Sequence, residues 1–263
     1  MTHGARARRA AARAVAVVAV LGAVVALAVY AAAEDDVAPP PPPEAAEPSP
    51  VGTCRPGPPP DAPARRRYAQ PERMLEPGVD YRATIVTSCG DIALDLLEDA
   101  APEAVNSFVF LARAGYYDGR RWARVERRFL IQTGDPNDRL LDPPEDAGYE
   151  LPAELPDRPQ DYVCGTVATT ASGEPGVVRS GAFFVVVHSC DEIVEATPGA
   201  TPPRPEPAGL QKLYSIFGTV DESSYETIVW ISRQPVTGGD EPVTSVEPAV
   251  PVWIERVEIE ERR

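Results

Sequence analysis

From Tyr81 onward apolar and polar residues alternate with a period of two. In YRATIVTS and then DIALDLL, Ile92, Leu94 and Leu96 fall on one side while Asp91, Ala93 and Asp95 fall on the other, as strands with one buried face require. Cys89-Gly90 between the runs predicts a turn, and so a β-hairpin. The period then changes. Pro102 suits the first position of a helix, Glu103 complements its dipole, Val105, Phe108, Val109 and Ala112 recur as an apolar stripe, and Gly115 marks the stop. After a turn at Asp118-Gly119, the runs FLIQ (129–132), YVCGTVAT (162–169), AFFVVVH (182–188), LYSIFGTV (213–220) and PVWIERVEI (251–259) predict further strands. Asp221 caps a second helix to near Ile231, with Tyr225, Ile228 and Val229 inward. This order predicts a mainly β domain, one antiparallel barrel with two helices covering its ends. The Pro-rich stretches 138–158 and 191–209 read as long loops, where a groove is usually built.

The pattern ahead of the domain is different. Residues 1–13 form a basic tail with Arg6, Arg8, Arg9 and Arg13, and Ala14 to Ala33 is an uncharged apolar run, long enough to cross a bilayer as one helix. Arginines before it and Glu34, Asp35 and Asp36 after it predict a single-pass anchor with the C-terminal domain outside the cytoplasm. The competing reading is a cleavable signal with its site at Ala31-Ala32-Ala33, which would leave the domain secreted. Residues 34–77 include PPPPP (39–43) and PGPPP (56–60); they read as a disordered, stiff spacer before a domain over 78–263.

Composition narrows the chemistry. The chain has a formal charge of −15, and the four arginines of the first 33 residues leave −19 for the rest. Such a body repels nucleic acid. Cys54, Cys89, Cys164 and Cys190 in an exported chain predict disulfides; three pairings are open, and one bridge within the domain is expected. With no C-x-x-C and two histidines, neither a metal nor another cofactor is expected. A monomer is expected.

The segment RWARVERRFLIQTGDP (121–136) concentrates cations around a short apolar run in a cation-poor chain. Together with GDIALDL, AAPEAVNSFVFLARAGYYDG, AGYELPAEL, GTVATTASG, SGAFFVVV and YSIFGTV, in this order, it resembles the cyclophilin family of peptidyl-prolyl cis–trans isomerases over about Asp80 to Ile259. The resemblance implies an eight-stranded flattened barrel with a proline pocket on its outer face, and proline-containing polypeptides as partners. It implies Arg124 as the catalytic residue, and Phe129, Leu130, Gln132, Phe184, Leu210 and Tyr214 as substrate-binding residues. Phe183 is then core, and Arg121, Arg127 and Arg128 are solvated rim. His188 has no partner in view. The implied activity is isomerisation of Xaa-Pro bonds in exported proteins, slow or selective; the alternative is a proline-reading binding module or holdase with little turnover. The pattern departs from the family at Ala123 (usually histidine), Ala182 (glutamine), Thr170-Ala171-Ser172 (Ala-Asn-Ala) and Tyr214 (histidine). No tryptophan stands near Gly209, which predicts weak cyclosporin binding.

Overall fold

The computed structural model describes residues 52, 54–55, 57–59, 66–133, 147–196, 201, 203–237 and 247–263. The expected anchor at 14–33, the basic tail and most of the linker lie outside these residues. Among the described residues no helix is long and apolar enough to cross a membrane.

The predicted hairpin forms from β1 (Asp80–Thr87) and β2 (Gly90–Leu96), with Thr87 opposite Gly90. Its alternation is realised: Ile92, Leu94 and Leu96 are buried, and Asp91, Ala93 and Asp95 are half-buried. Helix α1 (Pro102–Arg113) starts on its proline. It ends where Gly115 N–H bonds Ala112 O and Tyr116 N–H bonds Leu111 O, the paired bonds that satisfy a helix's last carbonyls. Its other end is capped from far away. Glu154 accepts from the backbone N–H of Glu103 and Ala104, each at 3.0 Å, placing a negative charge at the positive end of the helix.

The remaining strands are β3 (Arg120–Arg121), β4 (Arg124–Glu126), β5 (Leu130–Thr133), β6 (Glu150–Pro152), β7 (Thr166–Ala171), β8 (Val177–Val186), β9 (Ile216–Val220) and β10 (Trp253–Arg262). The sheet path runs β3-β10-β1-β2-β9-β7-β8-β5-β4, with β6 also on β8, and every named pair is antiparallel. The path starts and finishes in one run of chain, because β3 and β4 are separated only by Trp122-Ala123. The sheet therefore curls back on itself, as a mainly β antiparallel fold. Read with β3 and β4 as one strand, the path has eight members, with β6 outside it.

The interior is closed by aromatic packing. Phe183 meets Phe108, Tyr117, Trp122 and Phe217 at centroid distances of 5.7, 5.5, 5.9 and 6.1 Å, all steeply tilted; such edge-on pairs add roughly 0.5–1.5 kcal/mol beyond area burial. A second helix begins as a 3-10 turn (Glu222–Ser224) capped by Asp221, then becomes α3 (Tyr225–Ser232).

Four expectations change. The stretch 191–209 is not all loop, since α2 (Cys190–Val194) opens it, so three α-helices rather than two occur among the described residues. Expected strands over 162–165, 187–188 and 213–215 are not strand, and β8 begins at Val177. Cys54–Cys89 forms in addition to the one bridge expected within the domain, which is Cys164–Cys190. The Cys54–Cys89 bridge reaches into the expected spacer, and residues 66–77 pack on the domain: Tyr68 meets Phe110 edge-on at 5.0 Å, and Asn106 Oδ1 accepts from Met74 and Leu75 N–H. Length and proline content hid these contacts, which a few apolar anchors create.

Candidate active site

Antiparallel registration builds the site. Arg124 of β4 stands opposite Gln132 of β5, Gln132 opposite Phe184 of β8, Phe184 opposite Ala168 of β7, and Ala168 opposite Ile216 of β9. Directly opposed residues share a face, so one row of side chains crosses the outside of the sheet. β8 separates the two faces: Phe183 belongs to the interior core, while Phe184 joins a second apolar cluster with Leu130, Tyr162, Ala168 and Val186. Phe129, Leu210 and Tyr214 pack against that cluster.

An open cavity of about 420 Å³ lies over this row. All seven residues singled out in the sequence line it: Arg124, Phe129, Leu130, Gln132, Phe184, Leu210 and Tyr214. Its size falls in the range of small-ligand sites. Leu130 and Phe184 are buried beneath it, and Phe184 meets Tyr214 edge-on at 5.1 Å. The result is an apolar floor with a guanidinium at one side. Thr170, Ala171, Arg179 and Ala182 complete the lining.

Three neighbours were not singled out in the sequence. Glu126 lies two residues from Arg124 on the same face, and its Oε1 accepts from Arg124 Nε at 2.6 Å and also meets Nη2. Both side chains are about 30% exposed (31% and 28%), so the pair is worth roughly 0.2–1 kcal/mol and yields to a competing ligand at small cost. Arg179 donates to the carbonyls of Ala171 (3.1 Å) and Ser172 (3.2 Å). Tyr162, fully buried, donates its hydroxyl to Tyr214 O at 2.7 Å and accepts Ala208 N–H at its carbonyl at 2.8 Å. It therefore fixes both Tyr214 and the approach to Leu210; burial raises its phenol pKa. The period-two spacing in Arg124-Val125-Glu126 was the available signal for Glu126. Tyr162 acts through a partner 52 residues away, and Arg179 reaches back across the connection between β7 and β8; neither contact leaves a local pattern.

The remaining cations are placed at the edge. Arg127 is exposed. Arg121 pairs with Glu247 at 2.8 Å, and Arg128 pairs with Asp191 and Glu192 at 3.2 and 3.3 Å. His188 Nδ1 lies 3.2 Å from Arg128 O. Among the described residues no cluster of His, Cys, Asp or Glu could hold a metal.

The model of the cyclophilin-type peptidyl-prolyl cis-trans isomerase/CLD family matches residues 82–258. The chain belongs to the cyclophilin family. A peptidyl-prolyl cis-trans isomerase of Synechococcus elongatus is 32% identical over 148 residues, covering 56% of this chain and 86% of the relative. One from Helicobacter pylori is 35% identical over 91 residues, 35% of this chain and 54% of that protein. A longer Streptococcus pyogenes protein, whose name pairs a phosphatase with a peptidyl-prolyl cis-trans isomerase, is 30% identical over 67% of this chain, which spans 39% of its length. The crystal structure of a Cryptosporidium parvum cyclophilin-type isomerase superposes with a TM-score of 0.54 at 19% identity, covering 70% of this chain and 99% of that one. It shows the shared fold. The same parasite protein was also solved in the presence of the dipeptide Ala-Pro.

Proposed function

We propose that the domain isomerises Xaa-Pro peptide bonds, with Arg124 as the catalytic residue. The observation that carries this reading is the guanidinium of Arg124 beside the Phe129–Leu130–Phe184 floor in one open cavity. Rotation of a prolyl amide meets a barrier of about 18–20 kcal/mol because the bond is conjugated, and it takes tens to hundreds of seconds unaided. No covalent step is needed. The floor holds the proline ring, and Gln132 fixes the register of the neighbouring backbone. As the amide twists, the prolyl nitrogen becomes pyramidal and accepts a hydrogen bond that the planar form cannot. A donor aimed there binds the transition state better than the ground state. One preorganised donor of this kind is worth about 3–4 kcal/mol, or about 10²–10³ in rate.

We further propose that the domain works outside the cytoplasm on exported proteins, where prolyl isomerisation slows folding, either tethered by residues 14–33 or secreted. The two disulfides support an oxidising compartment. A specific observation favours the second reading, a proline-reading module with low turnover: Ala123 and Ala182 stand where polar groups are common in the family.

Exchange NMR on short Xaa-Pro peptides with the full-length chain tests the isomerase. Acceleration by the parent, cut about 10²-fold or more by Arg124→Ala, is expected. An unchanged rate in the variant removes Arg124 from the chemistry, and binding without acceleration by the parent selects the module.

A further inference from the structure

A smaller cavity of about 180 Å³ adjoins the proline pocket, with Ala171 lining both. Its walls are Leu155, Leu213, Val177 and the Gly173–Gly176 turn. Leu155 and Leu213 are 40% and 45% exposed, two of the four large exposed hydrophobics among the described residues, and both face this one notch. Single exposed leucines are ordinary. Two converging beside a candidate active site are a different matter.

The backbone beneath them is held in place. Ala153 N–H bonds Gly176 O at 2.9 Å, Glu154 N–H bonds Ser215 Oγ at 2.8 Å, and Lys212 Nζ reaches Asp157 O at 3.3 Å. These bonds tie the Leu155 side to the turn and to the Leu213 side. The leucines are therefore presented on fixed walls.

Three backbone groups of the ridge between the two cavities are engaged within the fold. The carbonyls of Ala171 and Ser172 accept from Arg179, and Ser172 N–H donates to Val177 O at 3.3 Å. A polypeptide crossing this ridge finds these three groups already taken. What the surface offers on the far side is apolar area, which binds by desolvation without needing those groups.

We propose that this notch is a second subsite of the same groove, taking an aliphatic side chain of the bound polypeptide a few residues from its proline. This rests on the isomerase reading of the neighbouring pocket. The chain then selects Xaa-Pro segments that carry a leucine, isoleucine, valine or methionine at one fixed distance from the proline. Glu174 is the charged group on the lining, so an acidic side chain is disfavoured there.

The test uses the full-length chain and peptides in which one leucine is moved stepwise through the positions flanking a proline, against all-alanine controls. Exchange NMR reads kcat/KM, and the methyl signals of Leu155 and Leu213 read binding. A preference of about tenfold for leucine at one position is expected, as one filled apolar subsite gives. Leu213→Ser and, separately, Leu155→Ser reduce it to about twofold or less; both side chains are exposed, so folding is spared. Equal use of leucine and alanine at every position overturns the subsite, and so does a preference that survives both variants. If no peptide is turned over, the isomerase reading fails on its own. The subsite then stands or falls on the methyl signals: shifts with the leucine peptides and not the controls support it, and no shift sinks it.

Discussion

Gly181 offers a sharp test of how the core and the site are joined. It lies within β8 with φ +78°, two residues before Phe183, and a Cβ built there would sit 2.7 Å from Tyr116 Oη and 2.8–2.9 Å from its Cε1 and Cζ. Tyr116 has little room to retreat. It is buried, packs edge-on against Tyr117 at 5.3 Å, and lies under the Arg120 guanidinium at 4.4 Å. Gly176 has the same φ, +78°, but nothing within 4 Å of its virtual Cβ. Alanine at either position bears the left-handed backbone cost, roughly 1–2 kcal/mol. At Gly181 it also overpacks the core, adding about 1–3 kcal/mol. Gly181→Ala should therefore lose about 2–5 kcal/mol and Gly176→Ala about 1–2. For a domain of this size each kcal/mol shifts Tm by about 2–4 °C, giving falls of about 4–20 °C and about 2–8 °C. Thermal and urea unfolding followed by circular dichroism reads both. If the two variants lose the same stability, the contact with Tyr116 costs nothing and the packing argument is wrong.

Three further outcomes are expected. Glu126→Ala should lower kcat/KM by about three- to tenfold through a less ordered guanidinium, with Glu126→Gln recovering part of it. In Arg124→Ala the same change should add no further loss, and additive losses would show that Glu126 acts independently. Asp221 accepts from Ser223 N–H at 2.9 Å and Oγ at 2.7 Å, which holds its carboxyl below the ordinary range. That stability is present above the usual carboxylate pKa and is lost as pH falls through the lowered value. Asp221→Ala should thus cost about 1 kcal/mol at pH 7, with the gap to the parent closing in acid melts; a gap constant with pH refutes the cap. Burial pushes the Asp91 carboxyl upward against the attraction of Arg256, so its ionised form opposes folding at neutral pH and less so as pH falls through the raised value. Asp91→Asn should melt higher than the parent at pH 7 and converge with it in acid, and a lower melting point at pH 7 would contradict this.

What could be read along the chain was what neighbouring residues decide together. Alternation in YRATIVTS and DIALDLL gave β1, β2 and their turn, because side chains on a strand point to opposite faces whatever lies beyond them. Pro102, the Val105–Phe108–Val109 stripe and Asp221 located the helices for similarly local reasons. The arginine and apolar pocket residues were legible through the family's motifs, and the cavity gathers all seven. Partners distant in sequence were decided only by the fold. Which cysteines pair, that Glu154 caps a helix about 50 residues away (51 to Glu103), that Tyr162 holds Tyr214, and that Arg179 occupies the ridge carbonyls depend on register and curl. The short strands β3, β4 and β6 have two or three residues each, too few to show a period. They exist because the curled sheet supplies hydrogen-bond partners to a backbone that could not hold an extended shape alone.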